Sequence, residues 1–152
     1  MKLVLCFLLI NFSVYSSEIS IVRQLYLEAY ISEYNCNQFG EKLNEIEYNN
    51  DYLIEGYRAC FFLIRCKFIK NPINKFASFS KGRGLLEAAI KNSPNSVELR
   101  FLRYSIQKNI PSFLFYNNHM EKDLNFVNEN IKNISDKNIK YFITNSFELL
   151  AK

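Results

Sequence analysis

Residues 71–116, NPINKFASFSKGRGLLEAAIKNSPNSVELRFLRYSIQKNIPSFLFY, decide the fold. Phe79, Leu86, Ala89 and Ile90 recur at spacings that place them on one helical face. Gly82 and Gly84 each weaken such a helix by about 1 kcal/mol relative to alanine, which points to close backbone approach or a bend there. Asn92-Ser93-Pro94 ends this helix, because a proline disfavours the α-region for the residue before it. Asn95 followed by Glu98 has the spacing of a capping box and starts a second helix. Phe101 and Tyr104, with Val97, Leu102 and Ile106, form its apolar face, and Pro111 stops it. A helix, a proline-containing turn and a second helix make up the unit of helical-hairpin arrays.

Outward from that hairpin, Asn71 to Leu114 carry the pattern NP-x-x-K-x-x-x-F-x-K-G-x-x-L-L-E-x-A-I, then P-N-x-x-E-x-R-F-L-R-x-x-I-Q-x-N-x-P-x-F-L. This pattern resembles a family of small secreted bacterial helical proteins without assigned activity, and the resemblance implies a helical fold and export. Ala89 to Pro94 also resembles the end of a tetratricopeptide repeat, although Arg100 and Arg103 stand where that repeat would carry Trp and Leu. Leu43 to Cys66 reads as a degenerate copy of the hairpin, offset by about 43 residues, near the length of longer helical repeats.

The remaining segments read as helices too. Ile19–Tyr34 forms a first helix and Gln38–Tyr48 a second. A third, Tyr52–Ile69, is capped by Asp51. It is apolar nearly all round from Ala59 to Ile64, which marks it as the most buried helix. Lys70-Asn71-Pro72 closes it. Ser112–Tyr116 is a loop or helical turn packed on the core. Asn118 caps a helix carrying Met120, Leu124, Val127 and Ile131, and Ser135 caps a last one with Ile139, Ile143, Phe147 and Leu150. No segment has strand alternation and no linker divides the chain. The expectation is an all-α, tetratricopeptide-like helical-hairpin array of about seven helices.

Composition agrees with a globular domain. The chain has 152 residues, 49% hydrophobic and 22% charged, enough for one core. Heavy use of Phe, Tyr, Asn, Ile and Lys is the expected mark of an AT-rich genome. Met1 to Ser16 has the layout of a secretory leader: Lys2, the apolar run Leu3–Phe12, and Val14-Tyr15-Ser16 as a small-x-small cleavage site. Residues 1–16 are therefore expected to be removed, leaving 17–152 as one exported domain, periplasmic or extracellular, that does not span a membrane. Cys36, Cys60 and Cys66 then remain. Cys60 and Cys66, six apart on one helix, are separated by a rise of roughly 9 Å and face different sides, so they cannot bridge. Cys36 pairing with Cys60 or with Cys66 stays open beside three buried free thiols.

Catalytic chemistry has little foothold. His119 is the single histidine and lies in a capping turn. No CxxC, HExxH or calcium-loop pattern occurs, so neither cofactor nor metal is expected. Glu45-Glu47 and Glu121-Asp123 are two apart and do not share a helical face. Lys81-Gly82-Arg83-Gly84 suggests a phosphate turn but lacks P-loop spacing. Charge is unevenly spread, acidic over Ser17–Tyr57 and basic over Arg58–Lys108. Such a dipolar molecule suits an anionic partner or self-association rather than nucleic acid. The expected role is a scaffold or binding module for a protein, peptide or anionic surface, against a small enzyme or a structural envelope protein. Arg83, Arg100, Arg103 and Tyr104 are the candidate partner-binding residues, since arginine recognises carboxylates and phosphates in a two-pronged geometry.

Overall fold

Seven α-helices and two 3₁₀ turns, with no strand among the described residues, make up the computed structural model. It describes residues 18–47 and 50–150, with side chains to residue 147. The leader expected at Met1–Ser16 lies outside the described residues. The helices are α1 (18–28), α2 (Glu33–Glu45), α3 (Tyr52–Arg65), α4 (Pro72–Asn92), α5 (Val97–Asn109), α6 (Met120–Asn130) and α7 (Lys137–Leu150). The 3₁₀ turns are Ser112–Leu114 and Ile131–Asn133.

Side-chain caps set most of the helix starts, in places one step from where the sequence puts them. The first helix ends six residues early because the Ser32 hydroxyl accepts the Asn35 amide at 3.1 Å and starts α2 there. Asp51 caps α3 as expected, through the Leu53 amide. Pro72 does not close α3. It opens α4 at the first helical position, where its missing N–H costs nothing, and Asn71 accepts the amides of Ile73 and Asn74. The cap of α5 is Ser96 rather than Asn95, and it accepts the Leu99 amide at 3.2 Å. His119, not Asn118, precedes α6, and Asp136 rather than Ser135 caps α7.

Helices α3 and α4 form an antiparallel pair. Cys66 Sγ donates to the Lys75 carbonyl, Ser78 Oγ donates to the Phe62 carbonyl at 2.7 Å, and Gly82 lies against Ala59. A Cβ on Gly82 would sit 2.8 Å from the Ala59 carbonyl oxygen and 2.7 Å from Leu63 Cγ, so only glycine permits this approach. Gly84 faces open space. The Lys81–Gly84 segment is thus the interior of a helix and forms no phosphate turn.

The most enclosed helix is α5, not α3. Every residue from Glu98 to Gln107 except Arg100 is buried, polar ones included. Phe79, Leu86, Ala89 and Ile90 of α4 and Phe101, Leu102 and Ile106 of α5 join one core with Tyr26, Phe39, Tyr57, Val127 and Ile143. Around Tyr26, edge-on contacts to Phe39, Tyr57 and Phe142 tie α1, α2, α3 and α7 together at centroid distances of 5.7–6.2 Å. Cys36 and Cys60 are buried, Cys66 is half-buried, and all three are free thiols.

Candidate binding site

Two ionic clusters are built into the fold, and the second takes up Arg100 and Arg103, two of the residues expected on a partner face. In the first, Arg23 of α1 holds Glu98 of α5 through two parallel hydrogen bonds of 2.8 Å, and the Tyr57 hydroxyl donates to the same carboxylate at 2.5 Å. The guanidinium also lies 6.0 Å from the centre of the Phe142 ring on α7. Burial pulls the Arg23 pKa down, but the hydrogen bond and charge of Glu98 outweigh it and hold it above the usual arginine value. Tyr57 is pushed well above an ordinary phenol, first by burial and then by the neighbouring carboxylate.

The second cluster joins α4, α5, α6 and the segment after the first 3₁₀ turn. Arg103 donates from Nε and Nη2 to the two oxygens of Asp123 at 2.6 and 2.9 Å, and from Nη1 to Glu87 at 2.6 Å. Arg100 adds a bond to Asp123 at 3.1 Å, and the Tyr116 hydroxyl donates to the second Glu87 oxygen at 2.8 Å. Two cations thus meet two anions. Asp123 is fully buried and accepts three N–H bonds, the arrangement that lets an interior ion pair persist.

This geometry corrects the expected partner face. Arg103 is 2% exposed and Tyr104 is buried, so neither can meet another molecule. Arg100 is half-buried and committed to Asp123 and to the Pro94 carbonyl. Arg83 alone of the four is exposed, stacked 5.0 Å from the centre of the Tyr116 ring. The partners sequence reasoning missed are Asp123, 20 residues from Arg103, and Arg23, 75 residues from Glu98.

His119 sits beside Asn118 at the start of α6, 3.3 Å from its amide nitrogen. Among the described residues, no group of three or more His, Cys, Asp or Glu side chains is placed to hold a metal ion. No described helix is long and apolar enough to cross a membrane.

Where the polar residues turn inward, an apolar surface is left open at the other end of the α3–α4 pair. The end of α3, the first turns of α4, the end of α5 and the Ser112–Leu114 turn surround a cavity of about 520 Å³, a volume ordinary for small-ligand sites. Its wall is sorted by depth. Leu63, Ile64, Phe79 and Ile106 are buried, whereas Lys67, Lys75, Phe76 and Phe113 lie exposed around the opening. Two lysines and no carboxylate contribute to the wall. The Lys67 ammonium donates to the Tyr30 carbonyl at 2.9 Å, and Lys75 has no carboxylate within ion-pair distance among the described residues.

The exposed aromatics have a backbone cause. Pro111 ends α5, and Phe115 then adopts a left-handed conformation (φ 49°) that turns Tyr116 inward to Glu87 and leaves Phe113 and Phe115 outside. At Phe76 the cause is overhang: residues 72–77 of α4 extend past the core and are all exposed. Compared with known proteins, the chain matches no family model, no curated protein and no solved structure.

Proposed function

We propose that this chain is a binding module without catalytic chemistry, and that its site is the apolar cavity at the turn of the α3–α4 pair. The observation that carries this reading is the contrast in commitment. The buried charged groups Arg23, Glu98, Arg103 and Asp123 are engaged within the fold, while Phe76 and Phe113 stand 68% and 71% exposed beside an open cavity. Contiguous apolar surface of this kind on a small domain marks an interaction site. A general acid or base needs a free proton position facing a substrate, and the clustered carboxylates have arginine and tyrosine donors there instead. The leader-like layout of Met1–Ser16 supports an exported protein; the amino terminus of the mature form, read by sequencing, should be Ser17 or a close neighbour.

Binding is tested with the anionic fluorophore 8-anilinonaphthalene-1-sulfonate on the folded protein. Saturable fluorescence enhancement near one equivalent is expected. Leu114→Trp, which enlarges a half-buried wall residue, should abolish it while leaving the melting temperature within a few degrees. Fluorescence that is absent, or indifferent to Leu114→Trp in a folded variant, would rule the cavity out as the site.

A further inference from the structure

We propose that the cavity takes a single-chain carboxylate amphiphile, with the hydrocarbon tail on the cavity floor and the headgroup at Lys75. The proposal rests on the binding reading above and deepens it to a ligand class. Three features of the wall carry it.

The floor, Leu63, Ile64, Phe79 and Ile106, is buried and offers no hydrogen-bonding side chain. A peptide backbone brought there would leave its own N–H and C=O groups without partners, whereas a hydrocarbon chain has none to satisfy. The charged residues of the wall are Lys67 and Lys75, both exposed, with no acidic residue to oppose them. The opening is therefore complementary to an anion and repels a cation. Lys75 is the more available of the two, because Lys67 already donates to the Tyr30 carbonyl. Finally, the space is one concavity walled by the ends of three helices and a turn. A helical peptide instead needs a groove that receives anchors over two successive turns.

The test displaces the bound fluorophore with octanoate, decanoate, dodecanoate and dodecyltrimethylammonium, all below their micelle concentrations. Affinity should rise about fourfold per added methylene until the floor is filled. Dodecanoate should bind at least about tenfold more tightly than dodecyltrimethylammonium, and Lys75→Gln should erase most of that preference without changing the melting temperature. Lys91→Gln, on an exposed turn of α4 outside the cavity wall, serves as the control and should leave the preference intact.

Equal displacement by the two headgroups would overturn the proposal and leave the binding reading standing. So would displacement by an acidic amphipathic helical peptide but not by dodecanoate. A concentration-dependent dimer that expels the fluorophore and ignores dodecanoate would likewise overturn it, with a second copy of this chain as the occupant. Absence of fluorophore binding defeats the binding reading itself, and this proposal with it.

Discussion

The two ends of helix α4 are built by opposite rules. From Pro72 to Ala77 every residue is exposed, Ile73 and Phe76 among them, and Phe76 stands beside an apolar cavity. From Ser78 to Ile90 the same helix lays one face, Ser78, Phe79, Gly82, Leu86, Ala89 and Ile90, against the core, fits a glycine against α3, and places Glu87 in an ion cluster. At one end hydrophobic groups face water, and at the other charged groups face the interior. Burying a charge is tolerable only with good partners, so the enclosed end must be geometrically complete. The open end carries no such requirement and is free to vary with a ligand.

That contrast can be broken, and the enclosed end should break first. Asp123→Ala leaves Arg100 and Arg103 without their shared carboxylate, and should lower unfolding free energy by about 3–5 kcal/mol in chemical denaturation. A loss below about 1 kcal/mol would mean that the cluster is hydrated and the core less closed than described.

Next in size is alkaline loss of stability. Burial pushes the Cys36 thiol up from 9.0 to about 11, and Tyr57 and Tyr116 are also raised, chiefly by burial. The unfolded chain releases these protons first. The native state therefore holds more protons above pH 9, and stability falls as pH rises. Cys36 alone contributes a loss of about 2–3 kcal/mol by pH 11, and its contribution is fully present below pH 9. Melting temperatures across pH 7–11 check this, and Cys36→Ala should lessen the decline above pH 9, the Cys60 thiol, also raised by burial, sustaining the remainder.

The two glycines of α4 sharpen the comparison within one turn. Gly82→Ala forces a methyl group against the Ala59 carbonyl and should cost about 1–3 kcal/mol. Gly84→Ala meets nothing within 4 Å and should stabilise by about 0.5–1 kcal/mol. Equal effects would show that α3 and α4 are not in van der Waals contact at this point. Smallest of all, Phe76→Ser on the overhanging turns should change stability by less than about 0.5 kcal/mol while weakening fluorophore binding.

Much of this architecture was legible in the sequence, and the exceptions share a cause. Helical content and the α4–α5 turn followed from periodicity and proline placement, which are local signals. The cap positions slipped where two capping residues adjoin: Ser96 took the place of Asn95, and Asp136 that of Ser135. Glu98 was expected in a capping box but holds Arg23 instead, 75 residues away. The same distance effect hid the burial of α5, since Arg103, Ser105 and Glu98 become interior residues only once their partners arrive. A usable signal was present. The chain has 13 lysines and 6 arginines, and four of those arginines, Arg23, Arg58, Arg100 and Arg103, are buried or half-buried. In a lysine-rich chain, arginine marks the sites that need its fixed fork. The cavity was less legible, because it is assembled from segments 30 to 114 residues along the chain and none is distinctive alone.

The long reach of the Arg23–Glu98 bond has a temporal consequence. A ribosome adds roughly 5–20 residues per second, so about 4–15 s separate the synthesis of Arg23 from that of Glu98. Tyr26 waits slightly longer for Ser105, whose hydroxyl meets its own at 2.7 Å. During that interval α1 has neither its ionic anchor on Glu98 nor its hydroxyl partner Ser105. Helix α1 can therefore pack on Phe39 and Tyr57 first but lacks its polar anchors until α5 is made, an interval in which a chaperone or a translocation machine has access to it.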